Sequence, residues 1–148
     1  MFSQTVEYAL RAAVWLAENE GSPQTNHKIA EATQVPAAYL SKLLQSLARA
    51  GLVRGARGVG GGFELARPAA AVSVLDVVNA VDPVCRIETC PLKLSSHRTR
   101  LCPLHKKLDD AIATIETSFR STSLADVLGT NSGHRPLCEY VEVAAAAR

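Results

Sequence analysis

Apolar residues recur at helical spacing over residues 3–20, where Val6, Leu10, Ala13, Val14 and Ala17 share one side and Gly21-Ser22-Pro23 ends the run. The pattern predicts a first helix packed on one face. Thr25 or Asn26 can cap a short second helix reaching about Thr33, because a small polar side chain accepts from the free amides of a first turn. Pro36 marks the start of a third helix over about 37–50, since its missing amide donor costs nothing there. That helix turns Leu40, Leu43, Leu44 and Leu47 inward, leaves Tyr39, Ser41, Lys42, Gln45 and Arg49 largely free, and has Gly51 at its C-terminal cap.

The pattern then changes period. Leu52-Val53-Arg54, a glycine-rich stretch from Gly55 to Gly62 and Phe63-Glu64-Leu65 form an apolar, turn, apolar sequence, which predicts two short strands around a flexible basic loop. Ser73 with Asp76, and Ser123 with Asp126, each place a carboxylate three residues after a serine, so both predict capping boxes that open short helices. Between them Leu104, Leu108, Ala111, Ile112, Ile115 and Phe119 form an apolar stripe on a helix opened by Pro103. Such a stripe is too long to leave in water on a small domain, and it predicts a dimer. A loop-like tail begins at Gly129, and residues after Val141 are expected to fray.

These elements predict a mainly α fold with a small β-hairpin wing: a winged helix-turn-helix followed by a long C-terminal dimerisation helix. The expected divisions are a DNA-binding domain over 1–82, a cysteine-containing sensing loop over 83–102, the dimerisation helix and a short following helix over 103–128, and a tail over 129–148. In this order of elements one helix enters the major groove and the wing approaches the neighbouring minor groove or backbone. Ser41, Lys42 and Gln45 suit base edges, Tyr39 and Arg49 suit phosphates, and Arg57 sits among the wing glycines, which allow close approach and positive φ. A glycine-rich loop beside a solvated helix face is the plainer alternative. A phosphate-cradling nucleotide loop is excluded, because the following Phe63-Glu64-Leu65 is strand-like and no lysine with serine or threonine opens a helix.

Charge sharpens the picture only locally. The net charge of the 148 residues is +2, yet from Pro36 to Arg67 the bases Lys42, Arg49, Arg54, Arg57 and Arg67 face one acid, Glu64. Apolar content of 47% and charged content of 20% suit one compact domain with appendages. The apolar runs fall short of a membrane span and the N-terminus lacks the marks of a secretory leader, so a cytoplasmic protein with no membrane partner is expected.

The unusual chemistry lies in Cys85-x4-Cys90-x11-Cys102, with His97 inside the second gap and His105 three residues further on. Clustered thiols in a cytoplasmic chain favour metal binding or redox chemistry over a structural disulfide. Iron-sulfur clusters, a tetrahedral zinc site, a thiol switch and plain buried cysteines all remain open from spacing alone. A thiol or metal redox enzyme lacks a nucleophile, base and orienting set, and a protein-binding winged helix is a third class. Cys138, far along the chain, reads as an ordinary thiol.

Several of these runs together resemble the Rrf family of regulators, of the IscR and NsrR type. They are Tyr39-Leu40-Ser41-Lys42-Leu43-Leu44 with Leu47, Ala50-Gly51-Leu52-Val53, and Arg57-Gly58-Val59-Gly60-Gly61-Gly62-Phe63 with Leu65. Glu7-Tyr8-Ala9-Leu10-Arg11 is similar to that family's N-terminal helix, and Val74-Leu75-Asp76-Val77-Val78 to its linker. The resemblance covers most of residues 2–128. It implies a homodimeric transcription regulator, expected to be a repressor, that binds a double-stranded DNA operator under control of an iron-sulfur cluster responding to redox, nitric oxide or iron status. It further implies Cys85, Cys90 and Cys102 as ligands of a [2Fe-2S] or [4Fe-4S] cluster, with Glu7 of the partner subunit as fourth ligand. His105 is the alternative fourth ligand, and zinc the alternative metal.

Overall fold

A computed structural model of the chain describes residues 2–92, 100–129 and 136–137; the positions of His97 and Cys138 lie outside these. Helix α1 (Gln4–Glu18) starts at Ser3, whose side chain accepts from the Val6 amide. Its buried set is wider than one stripe: Val6, Ala9, Ala12, Ala13, Val14, Leu16 and Ala17 are all covered, while Leu10 is only half-buried. The reason is its central place, packed against α2 (Asn26–Thr33), α3 (Ala37–Arg49), the hairpin and both later short helices. Alanines at the contacts let those neighbours approach closely from several sides.

Helix α2 is capped by Thr25, which accepts from the Lys28 amide, and ends at Gln34 in a left-handed conformation. Pro36 stands one position before α3 rather than inside it, and its carbonyl accepts from the Tyr39 and Leu40 amides, each at 2.9 Å. At the other end Gly51, at φ +71°, closes a two-bond cap: its amide donates to Ala48 O and the Leu52 amide to Leu47 O, both at 3.0 Å. All four leucines expected in the core are buried.

Strands β1 (Val53–Ala56) and β2 (Gly62–Leu65) pair antiparallel, with Val53 opposite Leu65 and Ala56 opposite Gly62. They extend into the glycine-rich stretch, leaving only residues 57–61 as the loop. The hairpin also pairs with Gln24, through Gln24 N to Phe63 O and Phe63 N to Gln24 O, each at 2.8 Å. A 3-10 turn over Ala69–Ala71, not foreseen from the sequence, follows Pro68, and the Glu20 carboxylate accepts from its first amide.

Helix α4 (Val74–Val81) opens with both halves of the Ser73 and Asp76 capping box. Helix α6 (Leu124–Gly129) repeats the device, with Ser123 N donating to Asp126 and Asp126 N to Ser123. The two caps are joined, since Val74 N donates to Thr122 O at 2.8 Å and Leu124 N to Val72 O at 2.9 Å. Leu124 enters the main core with Leu16, Ile29, Leu40, Leu44, Leu47 and Val77. Between α4 and α6 runs α5 (Pro103–Arg120), the longest helix, whose one buried residue is an aspartate, Asp109. Among the described residues no helix is long and apolar enough to cross a membrane.

Candidate nucleic-acid interface and metal centre

The α3 face opposite the leucines carries Lys42, Gln45 and Arg49 in the open. Among the described residues Lys42 and Arg57 make no ion pair, whereas Arg54 pairs with Glu64 across the hairpin at 2.9 Å and Arg67 lies 3.8 Å from Asp76. The five bases of residues 36–67 thus divide: Lys42, Arg49 and Arg57, the three assigned to DNA, keep their charge outward, and Arg54 and Arg67 are partly neutralised within the chain.

Three residues assigned to DNA from the sequence have partners within the chain, the mildest case being exposed Arg49, whose Nη2 donates to Ser46 Oγ at 3.2 Å. The Ser41 hydroxyl donates to Ala37 O at 3.1 Å and accepts from Asn26 Nδ2 at 3.0 Å. This bond ties the start of α2 to α3, so Asn26 acts between the helices rather than as the cap. The Tyr39 hydroxyl shares a hydrogen bond with Thr5, and its ring meets Tyr8 edge-on at 5.6 Å between centroids. At the wing tip Gly58 and Gly60 take φ of +97° and +80°, values that disfavour any side chain. Gly61 and Gly62 are glycine for another reason: a Cβ would lie 2.4 Å from Ala56 O and 2.3 Å from Gln24 O respectively. Arg57 and Val59 are exposed on this turn.

The cysteine segment converges on α5. Cys90 is buried, with its Sγ 3.6 Å from His105 Nδ1, and Cys102, at the helix cap, places its Sγ 3.1 Å from the same nitrogen. The three donor atoms lie within 4.8 Å of one another. Donors around a single tetrahedral ion are separated by roughly 3.5 Å, so two thiols and an imidazole at this spacing suit a metal of sulfur and nitrogen preference. Cys85 stands outside the group, exposed, with its Sγ 3.5 Å from Pro83 O. Glu7 lies on α1 and holds Arg11 at 2.6 Å, while Arg11 also donates to Thr33 O at 3.3 Å and sits over the Tyr8 ring.

A polar pair that periodicity hides stands beside this centre. Asp109 accepts from Arg86 Nε at 2.7 Å, Arg86 Nη2 at 2.6 Å and the Ile87 amide at 3.0 Å. The Arg86 hydrogen bonds, helped by the Ile87 amide, pull its carboxyl down from 3.8 to about 2 against the opposing effect of burial.

Comparison with known proteins places this arrangement. The chain is 28% identical, over 137 residues, to a protein of Aquifex aeolicus provisionally described as an HTH-type transcriptional regulator, covering 90% of this chain and 95% of that one. The solved structure of CymR, the global cysteine regulator of B. subtilis, superposes with a TM-score of 0.72 at 25% identity, covering 86% of this chain and 95% of that one. T. potens IscR also gives 0.72, at 27% identity, covering 86% of this chain and 85% of that one. The Rrf2 family model, described as an iron-dependent transcriptional regulator, matches residues 2–130. With a winged helix, an outward basic face and relatives that are regulators rather than enzymes, the chain belongs to the Rrf2 family of DNA-binding transcription regulators.

Proposed function

We propose that this regulator acts as a homodimeric repressor whose operator affinity is set by an iron-sulfur cluster held at the cysteine segment. The observation that carries the reading is the meeting of Cys90, Cys102 and His105 at the N-terminal end of α5, the helix with the exposed apolar stripe. A cluster bound there would supply a redox- and nitric-oxide-sensitive link among several ligands at once. Cys85, five residues before Cys90, is near enough in sequence to join on rearrangement, and Glu7 of a second copy is the further candidate ligand. Lys42, Gln45, Arg49 and Arg57 are proposed to meet DNA, with Ser41 and Tyr39 at its edge. The divisions at 1–82, 83–102, 103–128 and 129–148 then separate binding, sensing, pairing and tail. Leu104, Leu108 and Ile115, exposed along α5, supply the pairing face.

Anaerobic reconstitution with iron and sulfide, followed by absorbance, sulfide analysis and gel shift with operator DNA, tests the proposal. A visible charge-transfer band, lost together with a change in DNA affinity when Cys90 or Cys102 becomes Ala, is the expected result. Zinc is the second reading, favoured by the single-ion spacing of the three donors. Stoichiometric tight zinc with no bound sulfide would select it.

A further inference from the structure

We infer that Arg86 and Asp109 are positioning residues for the metal centre: their ion pair lays the segment carrying Cys85 and Cys90 along α5, so that Cys90 meets Cys102 and His105. The inference rests on the reading that these three residues hold metal.

Residues 83–89 form neither helix nor strand, so no backbone ladder fixes their path. Among the described residues, Val84 packs against Val6, Val74 and Val78, and two polar attachments act beside it. Val84 N donates to Asn79 Oδ1 at 3.0 Å, and Arg86 with Ile87 engages Asp109. The contacts run in order, with Cys90 beside His105, Arg86 beside Asp109, and Arg86 Nη1 reaching toward Glu116 at 3.9 Å. The segment therefore descends antiparallel along one side of α5. His105 and Asp109 are four residues apart, one helical turn, and share that side.

An ion pair on a surface ordinarily contributes little. This one differs because Asp109, 7% exposed, is the one buried residue of α5, and both its oxygens are occupied. A buried carboxylate is costly unless its charge and lone pairs are met, and here a two-pronged guanidinium and a main-chain amide meet them. Lysine keeps the charge but cannot supply the planar fork. Arg86 lies between Cys85 and Cys90 in sequence, so fixing its side chain fixes the reach of the Cys90 thiol.

The test uses the full-length chain with cobalt(II) as probe. Wild-type protein is expected to give a thiolate-to-cobalt charge-transfer band. Arg86→Lys and Asp109→Asn should each weaken cobalt binding by about 10- to 100-fold, the range found when groups supporting metal ligands are removed. Circular dichroism and oligomeric state should be unchanged. Unaltered affinity and spectrum in both variants overturn the inference. Amide exchange of Ile87 in wild-type protein guards against variants that fail to fold: protection supports the clamp, and exchange at the rate of free chain overturns it. Wild-type protein that takes up no cobalt while Ile87 stays protected overturns instead the metal reading beneath it.

Discussion

The winged-helix half and the cysteine-bearing half of this molecule are held together in different ways. In the first, each element is specified more than once. Helix α3 has four buried leucines, a proline before it, a two-bond cap behind it and then a hairpin whose second strand pairs with β1 and, at Phe63, with Gln24. In the second, the path of residues 83–89 depends on a few side chains, chiefly Arg86 and Asp109. Redundancy suits a surface that must fit DNA in one shape, whereas a segment held by few bonds can be rearranged by one chemical event.

Substitutions can break or sharpen this contrast. The largest effect is expected at Leu44, which is fully buried. Leu44→Ala should lower unfolding free energy by about 2–5 kcal/mol in urea titrations, because the fixed surroundings cannot close the cavity. A much smaller loss would show the DNA half to be less tightly packed than described. On the DNA face, Lys42→Ala should weaken operator binding by about 1–3 kcal/mol if it reads a base edge, and Arg57→Ala should reduce the salt slope as well. Gel shifts at several salt concentrations check both, and unchanged binding in both variants removes the assignment.

Next in size is the cap of α4. Ser73→Ala removes the acceptor for Asp76 N and should cost about 0.5–2 kcal/mol in thermal or urea unfolding. Dimerisation gives a test on the α5 side: Leu108→Glu places charge in the exposed stripe and should shift the protein toward monomer in sedimentation at micromolar concentration. A wild-type monomer under the same conditions would remove the pairing face.

The smallest effect is local and pH-dependent. Since the folded Asp109 carboxyl titrates at about 2, below its ordinary 3.8, its contribution is complete above 3.8 and disappears as pH falls toward 2. The Ile87 amide resonance reports the folded state and should shift with a midpoint at about 2, and Asp109→Asn should abolish the shift. A wild-type resonance that titrates at the ordinary carboxylate value would show that the pair does not form.

How much of this was legible beforehand follows from the same division. Helices, caps and the hairpin were readable because they rest on local chemistry: Thr25, Ser73, Ser123 and Gly51 act on atoms a few residues away. The pairing of Gln24 with Phe63 was not, since it joins residues distant in sequence and polar Gln24 carries no strand pattern. It also gives Gly62 a role that flexibility did not suggest, because the bridge leaves no room for a Cβ. Ser41 looked free on a helical wheel, which cannot register a bond from Asn26 on another helix. In the cysteine-bearing half, spacing marks the segment whose Cys90 and Cys102 the fold brings together with His105. The position of His105 beside Cys90 and Cys102, with Cys85 apart, depends on how the segment folds back. Asp109 was missed because a lone acid beside an apolar stripe looks like ordinary solvent-facing charge.

The stitch between the caps at Ser73 and Ser123 makes α5 a cantilever. Its C-terminal end is anchored beside Leu124 in the main core, while Leu104 in its first turn is exposed. Eighteen residues of helix make a rod about 27 Å long, so a tilt of about 5° at the anchor moves the far tip by about 2 Å. That tip carries Cys102 and His105. A displacement of atomic size at the donor atoms is therefore geared down to a few degrees at the anchor, where the rod adjoins the half that meets DNA.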